Sequence, residues 1–143
     1  MKQRTNQQTN GKSAMKMLIL PLPPTDNRLR MPARGRLVKT PEYRQWVKDA
    51  DVEWKLWRRS HPRFTPYRPC KSKQMEFQFY LHLPSWRTDL GNYTKALADF
   101  LGGNKNEKRL FTDDHYISMR LILPVETDKD NPRVEVCPFP DVY

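Results

Sequence analysis

Two groups of polar residues stand out by type and spacing. Asn92, Lys95 and Asp99 recur at i, i+3 and i+7, so on a helix they share one polar face, with Asp89 just before its first turn. Further on, a basic turn from Gly102 to Arg109 leads into Phe111, Thr112, Asp113, Asp114 and His115, ahead of a segment that reads as a strand. Carboxylates from separate elements are hard oxygen donors that can hold a hard cation, and a lysine among them can neutralise an anion. Each residue also has an ordinary structural explanation. Asp89 suits a helix cap, Asp113 and Asp114 suit a solvated turn, and Lys95 can pair with Asp99 one turn on. Strand alternation would send the two adjacent acids to opposite faces. On these residues alone both explanations stay open.

The elements that must position these groups follow from periodicity. Met15 to Leu22 is a short apolar run ended by proline, read as a buried strand. Pro23 to Thr40 is a basic loop or ribbon with arginines at 28, 30, 34 and 36. Thr40 followed by Pro41 and Glu42 starts a helix. There Tyr43, Trp46, Val47, Ala50, Trp54 and Trp57 form one apolar stripe, turned to the core or to a dimer partner. Arg58 to Lys73 has three prolines and no period, and reads as a long connection. Met75 to Leu83 alternates strictly and is a strand. A second helix is expected from about Leu90 to Leu101, capped by Asp89 and stopped by Gly102 and Gly103. Strands Ile117 to Leu123 and Arg133 to Phe139 complete the order β-α-β-α-β-β. The expected fold is α/β with α+β character: a small mixed sheet with two main helices, in two layers.

A chain of 143 residues fits one domain, expected over residues 15–143 behind a flexible polar tail of residues 1–14. Two cysteines exclude a disulfide-rich scaffold, and no apolar run reaches the ~20 residues of a membrane span. The N-terminus lacks the apolar core of a secretory signal, so a cytosolic location is expected. His61, His82 and His115 have no zinc-ligand spacing, and the five glycines fit no phosphate-loop fingerprint. The formal charge is +10, unevenly spread: residues 1–75 carry 18 basic and 5 acidic side chains, residues 76–143 carry 8 and 11. The basic half suits a polyanion, nucleic acid first.

Arg87-Thr88-Asp89-Leu90-Gly91-Asn92-Tyr93-Thr94-Lys95, followed after a short insert by Leu110-Phe111-Thr112-Asp113-Asp114, resembles the RusA-type Holliday junction resolvases. Their first motif reads D-x-D-N-x-x-K near a helix start, and their second is a D-D pair after an apolar or aromatic position. Leu20 to Asn27 and Arg34-Gly35-Arg36 are similar to the family's opening, so the resemblance runs over about residues 17–138. It implies a homodimeric, magnesium-dependent endonuclease that resolves four-way DNA junctions in recombination and repair, in a bacterial cytosol or a phage-infected host. It implies Asp89, Asp114 and Lys95 as catalytic residues and Asp89, Asp113 and Asp114 as metal ligands. Arg28, Arg30, Arg34 and Arg36 are expected on DNA phosphates from their charge, with Asn92 and Arg87 beside them. His115 and Trp86 lie near the same site.

The chain departs from the family pattern at Gly91, where the second acid of the first motif would stand. Three explanations fit: a variant compensated by Asp99 or Asp113, a protein that grips branched DNA without cutting, or a deliberately altered residue. The first leaves a reason for Asp89, Asn92, Lys95, Asp113 and Asp114 all to be present. From a different class, an RNA-binding or assembly protein with structural acids is the remaining alternative.

Overall fold

A computed structural model describes residues 15–86 and 92–143. The expected tail, together with Arg87, Asp89 and Gly91, lies outside the described residues. The order is β1 (Leu18–Pro21), a 3₁₀ turn (Asp26–Arg28), β2 (Arg30–Ala33), β3 (Arg36–Lys39), α1 (Pro41–Ser60), β4 (Met75–Leu83), α2 (Thr94–Gly102), β5 (Ile117–Leu121), β6 (Glu126–Thr127), β7 (Arg133–Val136) and β8 (Asp141–Val142). This is the expected mixed sheet with two helices, and it adds a separate β2–β3 hairpin where the sequence suggested a basic loop or ribbon.

Strand β4 is the axis of the sheet. It pairs antiparallel with β7, which pairs antiparallel with β1, and runs parallel to β5. The short β6 continues the β5 edge and β8 the β7 edge. Two forecast strands are therefore shorter than expected. Ile117 to Leu123 ends at Leu121, and Arg133 to Phe139 ends at Val136. Pro124, Pro138 and Pro140 interrupt the ladder there because proline has no N–H to donate. The parallel β4–β5 pair requires a crossover, and α2 lies in that connection.

Alternation along β4 turns Met75, Phe77, Phe79, Leu81 and Leu83 into the core, where Val134 and Val136 of β7 and Leu18 and Leu20 of β1 join them. The tryptophan stripe of α1 faces inward too. Trp46 and Trp57 keep their indole N–H groups satisfied by donating to the carbonyls of Pro21 and Lys16, each at 2.8 Å, so α1 is sewn to both ends of β1. His61 adds a tie: it stacks on Trp57 and accepts the Lys16 N–H at 3.0 Å. Thr40 caps α1 as expected, its hydroxyl accepting from the Tyr43 N–H.

Helix α2 is shorter than expected, beginning at Thr94 rather than about Leu90. Asn92 folds back instead, its carboxamide oxygen accepting from both the N–H and the hydroxyl of Thr94. Such a local bond competes with helix and sets its start. The forecast stop holds: Gly103 takes φ +71°, and a Cβ there would press on the Glu107 carbonyl. Among the described residues no helix is long and apolar enough to cross a membrane.

Phe77 is fully buried at the centre of this core. Phe77→Ala should lower the free energy of unfolding by about 3–5 kcal/mol in urea denaturation. Trp86→Ala, at a side chain 81% exposed, should change it by less than about 0.5 kcal/mol.

Candidate functional site

A cleft of about 710 Å³ opens between α2, the chain after it and the base of the hairpin. Lys95 and Asp99 line it from α2, and Asp113 and Asp114 from the turn before β5. Arg30 and Lys39, paired across the hairpin base, form another wall. Lys108 and Arg109 complete the charged lining, so five cationic residues and three acidic ones share the cleft.

The two sides of the cleft are joined through the backbone. Leu110 donates its N–H to the carbonyl of Leu101, near the end of α2, at 2.8 Å. Tyr67 donates to Leu110 O, and Thr112 donates to Tyr67 O at 2.9 Å. The segment read as a featureless connection therefore holds the chain that carries Asp113 and Asp114. Arg109 locks the same junction from inside. It is 8% exposed, donates to Phe100 O at 2.8 Å and to Asp51 of α1 at 3.2 Å, and lies over the Phe100 ring. Burial raises the Asp51 carboxyl, but hydrogen bonds from Lys55 and Arg109 outweigh it and leave the group below its ordinary range.

Asp113 and Asp114 do not alternate across a strand. They sit in a turn ahead of β5, which begins only at Ile117, so both line the cleft and both are exposed. The His115 backbone N–H and ring donate to Asp113 Oδ1 at 2.9 and 2.6 Å. These bonds hold the Asp113 carboxyl below its usual range and raise the His115 imidazole. Asp113, Asp114 and His115 each offer a ligand atom within 4.8 Å of one another. Two exposed carboxylates with room for water fit a hard divalent cation, which keeps much of its hydration. The imidazole fits less well as a ligand to magnesium and is already engaged with Asp113.

The structure brings Lys95, Asp113, Asp114 and Arg30 of the expected residues into one cleft, together with Asp99. Lys95 and Asp99 also make the ordinary i,i+4 pair, at 3.8 Å. Four expected DNA contacts lie elsewhere. Arg28 approaches Glu42 at 3.9 Å and lines a separate groove beside Pro23 and Trp46. Arg34 and Arg36 stand at the hairpin tip. Asn92 is exposed outside the cleft lining, its side-chain oxygen committed to Thr94. The expected Asp89 and Arg87 lie outside the described residues.

Several residues of the site escape sequence reasoning. Tyr43 belongs to the buried stripe, yet it also lines the cleft, with Arg30 and Lys39 over its ring at 5.9 and 5.5 Å. Asp26 is overlooked because its Pro-Pro-Thr-Asp-Asn setting reads as a turn. Its N–H donates to Asn92 O at 2.8 Å, which docks the 3₁₀ turn on the start of α2. Burial raises its carboxyl, against the pull of the Lys95 backbone N–H and ammonium, and its Oδ1 is buried without a partner among the described residues. No family model and no curated protein matches the chain.

The Asp113–His115 pair sets a pH window. The raised imidazole keeps its proton until pH climbs through its folded value above 6.5, and the lowered carboxyl keeps its charge until pH falls through its value below 3.8. Between the two the pair is intact. His115→Ala should move the Asp113 carboxyl titration upward, toward its ordinary value, in a carbon-detected NMR titration.

Proposed function

We propose that the protein is a magnesium-dependent, structure-selective DNA endonuclease. It resolves four-way junctions in recombination and repair, as a homodimer, in the cytosol of a bacterium or phage-infected host. The observation that carries this is the single cleft in which Lys95 and Asp99 of α2 meet Asp113 and Asp114 under a wall of cations. An acidic floor with a basic wall suits a phosphodiester handled through a cation. An acidic floor alone would repel it.

In this reading Asp113 and Asp114 hold the metal, with Asp99 as a further carboxylate in the cleft and Asp89 added by its place in the motif. Bound there, magnesium would polarise a phosphoryl oxygen and lower the pKa of its water. Lys95 neutralises charge on the phosphate, and Arg30 and Lys39 hold the strand against the cleft. His115 fixes one carboxylate of the pair. Two copies related by a two-fold axis match the two symmetric strands of a four-way junction.

The expected arginines are not equivalent in this arrangement. Arg30 lines the cleft and Arg28 is turned toward Glu42. Arg30→Ala should reduce the slope of log affinity against log salt by about 0.9, one phosphate's worth. Arg28→Ala should change it less, by titration of a labelled junction at several salt concentrations.

Catalysis is tested by cutting a labelled four-way junction with and without magnesium. Asp114→Asn keeps the shape and removes a charge. It should lose cleavage by at least about 100-fold, the upper end of what losing even an outer partner of a metal costs, while binding the junction as well or better. Cleavage by this variant at the wild-type rate would remove the proposal. Gly91, which stands where the second acid of the first motif would be, favours a second reading in which the protein grips branched DNA without cutting. Tight junction binding by the wild-type chain without magnesium-dependent cleavage would establish that second reading.

A further inference from the structure

The β2–β3 hairpin has its base packed and its tip bare. Leu29 is fully buried beneath it, the Thr40 N–H donates to Leu29 O, and Arg44 donates to Lys39 O. Beyond that base, Leu37 is 68% exposed and Pro32, Arg34, Gly35 and Arg36 are exposed too. A two-stranded ribbon gains little stability by itself. Its persistence with a bare apolar residue near the tip points to something outside the chain.

The register sorts the ribbon's residues by face. Opposed residues in an antiparallel pair share a face and successive pairs alternate. Arg30↔Lys39 and Pro32↔Leu37 therefore lie on one face, and Met31↔Val38 and Ala33↔Arg36 on the other. The face that walls the cleft with Arg30 and Lys39 thus continues outward as an apolar pair, Pro32 and Leu37. The tip adds a strained cation. Arg34 takes φ +51° next to Gly35 at φ +80°, a two-residue left-handed turn that favours Asn, Asp or Gly at its first position. An arginine held there at a conformational cost is well suited to an anionic partner. Between Asn27 and Pro41 the chain carries no acid at all.

We infer that the hairpin is a wedge for branched DNA, with Leu37 and Pro32 packing on the base pair exposed at the branch point while Arg34 and Arg36 hold the flanking phosphates. This rests on the reading of the cleft as a DNA site. Apolar side chains of this kind unstack bases at a modest cost where stacking is already interrupted, as it is at a branch point. Leu37 lies two residues beyond Lys39, about 7 Å along the strand, or roughly two base steps. The ribbon therefore sets the cleft within about two nucleotides of the branch point.

The test uses the full chain with a four-way junction carrying 2-aminopurine either at the branch point or mid-arm, with binding followed separately by anisotropy. Wild-type protein should raise the branch-point fluorescence by about twofold or more, as unstacking relieves quenching, and leave the mid-arm probe unchanged. Leu37→Ser, which leaves the fold intact at an exposed position, should abolish the rise even at protein concentrations where anisotropy shows the junction fully bound, and Leu37→Met should restore it. Should Leu37→Ser bind and leave the rise unchanged, the wedge is overturned and the DNA reading survives. Should wild-type protein bind no junction, both fall. A shift in sedimentation on Leu37→Ser with no change in fluorescence would assign the apolar pair to a second copy of the chain, which also overturns the wedge.

Discussion

The guanidinium of Arg109 is the interaction on which the cleft depends. One nitrogen closes the last turn of α2 through Phe100 O, another reaches Asp51 on α1, and the planar group covers the Phe100 ring. The next residue, Leu110, returns to Leu101 and starts the path to Asp113 and Asp114. A single buried cation thus fixes the distance between the polar face of α2 and the acidic turn. Burying a charge is expensive unless it is paired, and removing the partner of such a pair typically costs about 3–5 kcal/mol. The half-buried Asp51, shared between Lys55 and Arg109, supplies that partner, while the guanidinium Nε is buried without a hydrogen bond among the described residues.

Charge balance in the cleft follows from the same scaffold. The three carboxylates that line the cleft, two of them adjacent, would by themselves repel an anionic substrate. Arg30 and Lys39 come from the hairpin base, Lys108 and Arg109 from the turn after α2, and Lys95 from α2 itself. Tyr43 supports the first two from below, through its ring. Two of these five cations, Arg30 and Lys39, come from the basic half of the chain, and the other three come from the same half as the acids. The hairpin base thus brings part of the basic half against a cleft whose remaining charges are local to α2 and the turns around it.

Local patterns were legible in the sequence and long-range ones were not. Strand β4 is readable to the residue because five inward positions alternate without interruption, and α1 because its cap, its proline and its aromatic stripe agree. The start of α2 was misplaced by about one turn because Asn92 satisfies Thr94 locally, a choice that helical periodicity does not register. For Asp113 and Asp114 the sequence leaves open a solvated turn or opposite faces of an extended segment; the turn is what forms, and Tyr116 at φ +62° separates it from β5, which starts at Ile117 as expected. The contributions of Asp26, Tyr67 and Arg109 depend on burial and on hydrogen bonds to partners 43 to 66 residues away in sequence, and no spacing rule reaches that far. The motif residues themselves were found because they are close in sequence. Their meeting with Arg30 and Lys39 required the fold.

Under the proposed function, the polar face of α2 and the turn before β5 form one cation-binding cleft. Manganese titrated into isotopically labelled full-length protein measures this directly, because paramagnetic broadening of amide signals falls off steeply with distance. The signals of Lys95 to Asp99 and of Thr112 to His115 should be lost together at low manganese, with both effects weakened together in Asp114→Asn. Broadening confined to the turn, or spread evenly over other exposed acids such as Asp130 and Asp141, would contradict it.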